Sequence, residues 1–109
     1  MDLRSLRYFV STVEAGSISA AAIRCHVAQP SITVAISKLE GQLSCKLLVR
    51  HQKGCTATED GVRLYDLAVS LLSHAEAIKQ SFTNNSAVAT LKLVVDKNIR
   101  ISVLEAFLA

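Results

Sequence analysis

Apolar residues recur at helical intervals along most of the chain. Leu3, Leu6, Phe9, Val10 and Val13 are spaced three, one or four apart. This predicts an amphipathic helix from residue 3 to about 15, with Gly16 ending it. Arg4 and Arg7 fall on its polar side. Ser17 follows where an N-cap belongs, its oxygen available to the free amides of the next turn. Ala20, Ala21, Ala22 and Ile23 then make a short helix small enough to lie close under another. Cys25-His26-Val27 reads as the turn, with Val27 as its buried residue.

Pro30 suits the first turn of a further helix, where its missing N–H costs nothing. Beyond it Ile32, Ile36, Leu39 and Leu43 repeat at four, three and four, the spacing of a buried stripe. The opposite face then carries Gln29, Thr33, Val34 and Ser37, with Lys38 at its edge. These side chains are short and mostly uncharged, where a helix kept only for packing would show Glu, Lys and Arg. Glutamine can pair with an adenine edge, serine and threonine with several bases, and valine can touch a thymine methyl.

Two short extended pieces come next, Leu47-Leu48-Val49-Arg50 and Cys55-Thr56-Ala57-Thr58, with Gly54 as the turn residue between them. Thr58 is placed to cap a long helix, with Glu59 and Asp60 in its first turn. Along that helix Leu64, Ala68, Leu71, Ala75, Ile78 and Phe82 follow a four-three-four-three-four spacing, a heptad seam that a second copy of the chain would cover. Leu67 and Leu72 widen it. After the polar break Thr83-Asn-Asn-Ser-Ala87, Leu91 to Val95 reads as a strand and Ile99 to Leu108 as a short helix.

Composition narrows the class. The 109 residues are 50% hydrophobic and 19% charged, with one proline, which suits a helical globular fold and excludes disorder. The formal charge of +3 permits nucleic-acid binding without requiring it. Between Gly41 and Thr58 stand Lys46, Arg50, His51 and Lys53 and no acid, a basic tip for the hairpin. Three widely spaced cysteines suit a reduced cytoplasmic protein better than a disulfide framework. The start Met-Asp-Leu-Arg has no signal-peptide pattern, and no run of apolar residues reaches membrane-span length. Catalysis finds no carboxylate pair, glycine-rich phosphate loop or metal motif. Cys45, His51 and Cys55 fit no standard zinc spacing, so no metal or cofactor is expected and the thiols read as structural.

Taken in register, these pieces resemble LysR-type transcriptional regulators over residues 1 to 85. The resemblance rests on Leu3-Arg-Ser-Leu-Arg-Tyr-Phe-Val10, Gly16-Ser17, Ala21-Ala22 and His26-Val27. It continues through Gln29-Pro30, Ile36, Lys38-Leu39-Glu40, Leu43, Leu47-Leu48, Arg50, Thr58-Glu-Asp-Gly61 and the long helix.

The fold expected is mainly α: a winged helix-turn-helix of three helices and a two-stranded wing over 1–58, then a linker helix for dimerisation over 59–86. Residues 87–109 would be a strand–helix remnant, the truncated start of an α/β effector-binding domain, with no effector site in the chain. The resemblance implies a bacterial cytoplasmic regulator, nucleoid-associated when DNA-bound. It would bind a palindromic promoter site in double-stranded DNA as a homodimer.

By position, Gln29, Pro30, Thr33 and Val34 would face bases, with Ser37 on the same face. Ser17, Ser31, Lys38, Arg50 and Lys53 would lie towards phosphates. The dimer would form through Leu64, Ala68, Leu71, Ala75, Ile78 and Phe82. Two departures stand out. Ala28 lacks the capping oxygen of the family's serine, and Val34-Ala35 replaces a frequent Arg-Gln pair, removing a basic group from the reading face. The competing reading is an interaction protein that dimerises with a full-length relative and interferes with it.

Overall fold

Asp2 opens the fold: its carboxylate accepts the Ser5 N–H at 2.8 Å and caps the first helix. The computed structural model of the protein describes residues 1–83. The element order is α1 (Leu3–Ala15), α2 (Ile18–Cys25), α3 (Gln29–Leu43), β1 (Leu48–His51), β2 (Gly54–Ala57) and α4 (Glu59–Thr83). Met1–Ser73 forms one compact unit, and a separate unit begins at His74. The predicted strand at 91–95 and helix at 99–108 lie outside the described residues.

The helix boundaries follow their caps. Gly16 closes α1 in the left-handed region at φ 80°, and Ser17 Oγ accepts the Ala20 N–H at 3.1 Å to start α2. His26 takes the left-handed C-cap position at φ 58°, a conformation that costs a non-glycine residue little when it satisfies the last carbonyls. Val27 is half-buried against the core. α3 begins without a side-chain cap because Ala28 has no oxygen to offer, and Pro30 supplies the preset φ instead.

α1, α2 and α3 pack around Phe9, Ile32, Leu39 and Leu47, all essentially inaccessible to solvent. Burying side chains of this size stabilises the unit by roughly 1.5–3 kcal/mol each before chain entropy is counted. Ala21 and Ala22 are buried as well, and their small size lets α2 approach its neighbours closely. Thr12 is also fully buried, its hydroxyl satisfied by donating to the Tyr8 carbonyl at 2.8 Å.

Two apolar assignments need correction. Leu43, expected at the end of the α3 stripe, is 42% exposed. It is the last helical residue, beyond the reach of α1 and α2, and lines an open groove with Leu47, Leu64 and Leu67. Leu3, at the other end of the predicted α1 stripe, is likewise exposed, since it sits at the helix entrance. Ala35, next to Val34 in sequence, is buried at 8%, on the side of α3 turned to the core.

The hairpin forms as predicted, shifted by one residue. β1 and β2 pair antiparallel with Leu48 opposite Ala57 and His51 opposite Gly54, so Leu47 leaves the strand for the core. Gly54 adopts φ 142°, and a Cβ there would collide with the Gly16 carbonyl oxygen. That closeness lets Cys55 N–H donate to Gly16 O at 2.9 Å, locking the wing to the α1–α2 corner. Cys55 itself is buried, and burial raises its thiol pKa, with the Arg50 charge opposing.

Thr58 Oγ1 accepts the Gly61 N–H at 3.0 Å and donates to the Lys46 carbonyl, capping α4 while tying it to the segment before β1. The seam residues do not share one environment. Ala68 is buried in the core and Leu64 is half-buried against it, whereas Leu71, Ile78 and Phe82 are 44%, 63% and 77% exposed. Ala75 is half-buried.

Gly61→Ala inverts the usual helical preference. In an exposed helix the change stabilises by about 1 kcal/mol, but a Cβ here meets the Leu47 carbonyl oxygen and stands 3.1 Å from Ala57 Cβ. Denaturant unfolding should show a loss of about 1–3 kcal/mol instead. Native-state alkylation near pH 8.5, about the ordinary thiol value, should modify Cys25 and Cys45 well before Cys55. Because the folded Cys55 thiol keeps its proton to higher pH than the unfolded one, stability should fall as pH rises beyond that value.

Candidate nucleic-acid interface

α3 presents two opposed faces. Ile32, Ala35, Ile36 and Leu39 point into the core, which at 3.6 residues per turn turns Pro30, Val34, Ser37 and Gly41 outward. Gln29, Pro30, Ser31, Ser37 and Lys38 are exposed, Val34 is 55% exposed and Thr33 is half-buried. Gln29, Pro30, Thr33 and Val34 line one shallow, open surface. This side carries no carboxylate, so nothing on it repels a polyanion, and its side chains are short enough to admit close approach.

The wing stands beside this face because Glu40 holds it there. Its Oε2 accepts the backbone N–H groups of Leu47 at 2.9 Å and Leu48 at 3.4 Å, and its Oε1 lies 3.9 Å from Lys46 Nζ. On the other side of the same segment the Leu47 carbonyl accepts the Thr58 N–H at 3.0 Å. Pinned from both sides, β1 runs past α3 so that Thr33, Ser37, Lys46, Val49 and Arg50 line a single cleft. Glu40 was not identified from sequence as the wing's anchor. The signal available was an acid in the C-terminal half of a helix, where the dipole disfavours it unless it has a partner.

A second cleft joins the wing to the start of α2. Ser17, Ser19, Gln29, Arg50, His51 and Gln52 line it, so three predicted contact residues, Ser17, Gln29 and Arg50, meet there. Ser17 Oγ is already engaged as the α2 cap, although an oxygen can accept one bond and donate another. Lys53 projects from the exposed hairpin turn. Arg24, Lys46 and Arg63 are ion-paired; Lys38, Arg50 and Lys53, the cations predicted to face phosphate, have no ion-pair partner among the described residues, and neither do Arg4, Arg7 and Lys79.

The long helix is fixed to this unit by a polar contact as well as by packing. Tyr65 donates its hydroxyl to Glu14 at 2.7 Å, and Arg24 lies 3.6 Å from the same carboxylate. The hydrogen bond to Glu14 pushes the Tyr65 phenol above its ordinary pKa. One acid on α1 thereby gathers a residue from α2 and one from α4.

Among the described residues no three metal-binding side chains converge, and no helix is long and apolar enough to cross a membrane. Cys45, His51 and Cys55 are not brought together as a ligand set.

Comparison with known proteins agrees with this geometry. Residues 3–62 match the family model described as bacterial regulatory helix-turn-helix protein, lysR family. The nitrogen assimilation regulatory protein nac of Klebsiella aerogenes is 39% identical over 84 residues, covering 77% of this chain and 28% of that protein. The chain thus spans less than a third of that curated relative.

Two solved structures superpose closely. The crystal structure of the CbnR DNA-binding domain–DNA complex gives a TM-score of 0.72 at 36% identity, covering 83% of this chain and 99% of that one. The complex of the BenM DNA-binding domain with benA site 1 DNA gives 0.72 at 36% identity, covering 77% and 98%. The Klebsiella aerogenes relative is named as a regulatory protein. On the sequence match, the winged fold and the exposed face of α3 together, the chain belongs to the LysR family of bacterial regulatory helix-turn-helix proteins.

Proposed function

We propose that the chain reads a palindromic promoter site in double-stranded DNA, as a homodimer, in the cytoplasm. The observation that carries this reading is the uncharged outer face of α3 set beside unpaired wing cations. The two superposable relatives solved with DNA support it. α3 enters the major groove, about 12 Å wide. Gln29, Pro30, Thr33, Val34 and Ser37 approach base edges, while Ser17, Ser31, Lys38, Arg50 and Lys53 meet phosphates. The base contacts choose the site and the phosphate contacts set the register.

With Val34 at the position where the family resemblance leads one to expect an arginine, the chain has no charged side chain on the outer face of α3 there. It then relies more on the wing and on the deformability of the DNA. A dimer offsets this, because joining two readers makes the second binding event intramolecular. The α4 seam supplies the joint: Leu71, Ile78 and Phe82 are exposed where a partner helix would cover them. The interference reading shares this fold but draws no support from relatives that are themselves named as regulators.

Selection of bound duplexes from random DNA should return an inverted repeat, and failure to enrich any sequence would overturn the reading. Lys53→Ala should weaken binding to all sequences alike and flatten the dependence of log affinity on log salt by about one unit. Leu71→Asp should convert the dimer to monomer in sedimentation velocity with helical content retained. An intact dimer would remove the seam.

A further inference from the structure

The wing accounts for one flank of α3, and the other flank is built as well. On that side α3 and the first turns of α1 enclose a cleft of about 310 Å³. Arg4, Ser5 and Tyr8 line it from α1, and Ser31, Val34 and Lys38 from α3. Arg4 and Lys38 are exposed, and neither has an ion-pair partner among the described residues. Asp2 also borders the cleft. Its carboxylate is occupied in capping α1 through Ser5 N–H, a bond that holds its pKa below the usual value. The cleft therefore carries two cations and one carboxylate, and the Arg4 charge also helps to hold the Asp2 pKa down.

The position of this cleft around the α3 axis is what matters. Thr33, Ser37 and Glu40 line the wing cleft, and Ser31, Val34 and Lys38 line the α1 cleft. At 100° per residue the two sets lie about a third of a turn apart, and the outer face around Pro30 and Gly41, with Ser37 and Val34 at its two edges, lies between them. A helix in the major groove has a sugar–phosphate strand on either side of it. Cations on both flanks, with an uncharged face between, match that arrangement of charge.

We infer that Arg4, with Lys38, grips the phosphates of the DNA strand opposite the one engaged by the wing. Arg4 supplies a planar fork that can bond one phosphate bidentately. The Tyr8 and Ser31 hydroxyls line the same cleft as neutral donors. α1 is then more than a buttress for the reader: its N-terminal turn is the second jaw of the clamp and sets how far α3 rolls in the groove.

This inference rests on the DNA-binding reading, and the test separates the two. The full chain and its Arg4→Ala, Arg4→Lys and Lys53→Ala variants are titrated against a duplex recovered by the selection, carrying single neutral methylphosphonates along each strand. Arg4→Ala should lose about two- to fivefold in affinity, the range of one exposed ion pair. It should also flatten the salt dependence by about one unit, and Arg4→Lys should restore that dependence.

Neutralising one phosphate should cost the unaltered chain affinity and cost Arg4→Ala nothing further. That phosphate should lie on the strand opposite the one mapped in the same way by Lys53→Ala. Arg4 and Lys53 mapping to the same strand, or an unchanged salt dependence in Arg4→Ala, would overturn the two-jaw arrangement while leaving DNA binding intact. A chain that binds no duplex would overturn both.

Discussion

The placement of the wing depends on one half-buried carboxylate. Glu40 sits in the C-terminal half of α3, where the helix dipole disfavours negative charge, and is offset by the Leu47 and Leu48 amides and the nearby Lys46 ammonium. Because those amides precede or begin β1, the bond fixes where the chain re-enters after the helix. Leu47 is then directed into the core and Arg50 out along the flank of α3. A short two-stranded hairpin is marginal by itself in water. Here it borrows rigidity from Glu40 at one end and from the Cys55–Gly16 bond at the other.

Charge is partitioned to match. The cations that form ion pairs, Arg24, Lys46 and Arg63, serve the fold by binding Glu14, Glu40 and Asp60. The exposed Arg24–Glu14 and Arg63–Asp60 pairs contribute little energy individually. Arg4, Lys38, Arg50 and Lys53 remain unpaired around α3. A polyanion approaching that helix meets free positive charge at its edges and an uncharged centre, which steers association and leaves discrimination to short-range contacts.

α4 joins this economy through its first half. Gly61 and Ala68 are buried, and their small size lets the helix lie against Leu47 and the hairpin. Tyr65 then ties its direction to α1 through Glu14. Leu71, by contrast, belongs to a stripe that this unit leaves uncovered.

Much of this was legible in the residues themselves. The helix starts at Ser17 and Thr58, the stop at Gly16, the proline entry of α3 and the turn at Gly54 are local signals, written within three or four positions of where they act. The uncharged face of α3 was readable in part: helical periodicity puts Val34 and Ser37 opposite Ile32, Ile36 and Leu39, while Thr33, expected on the same face, is half-buried. Other features depend on residues far apart in the chain. Leu43 continues the stripe in sequence yet runs past the end of the core. The demand for glycine at 61 comes from the Leu47 carbonyl, and Glu40 became an anchor only when β1 turned back to meet it. Sequence periodicity reports which way a side chain points from its own helix. What it meets there is decided by the packing of other elements, and that is where the wing's position and the second flank of α3 were determined.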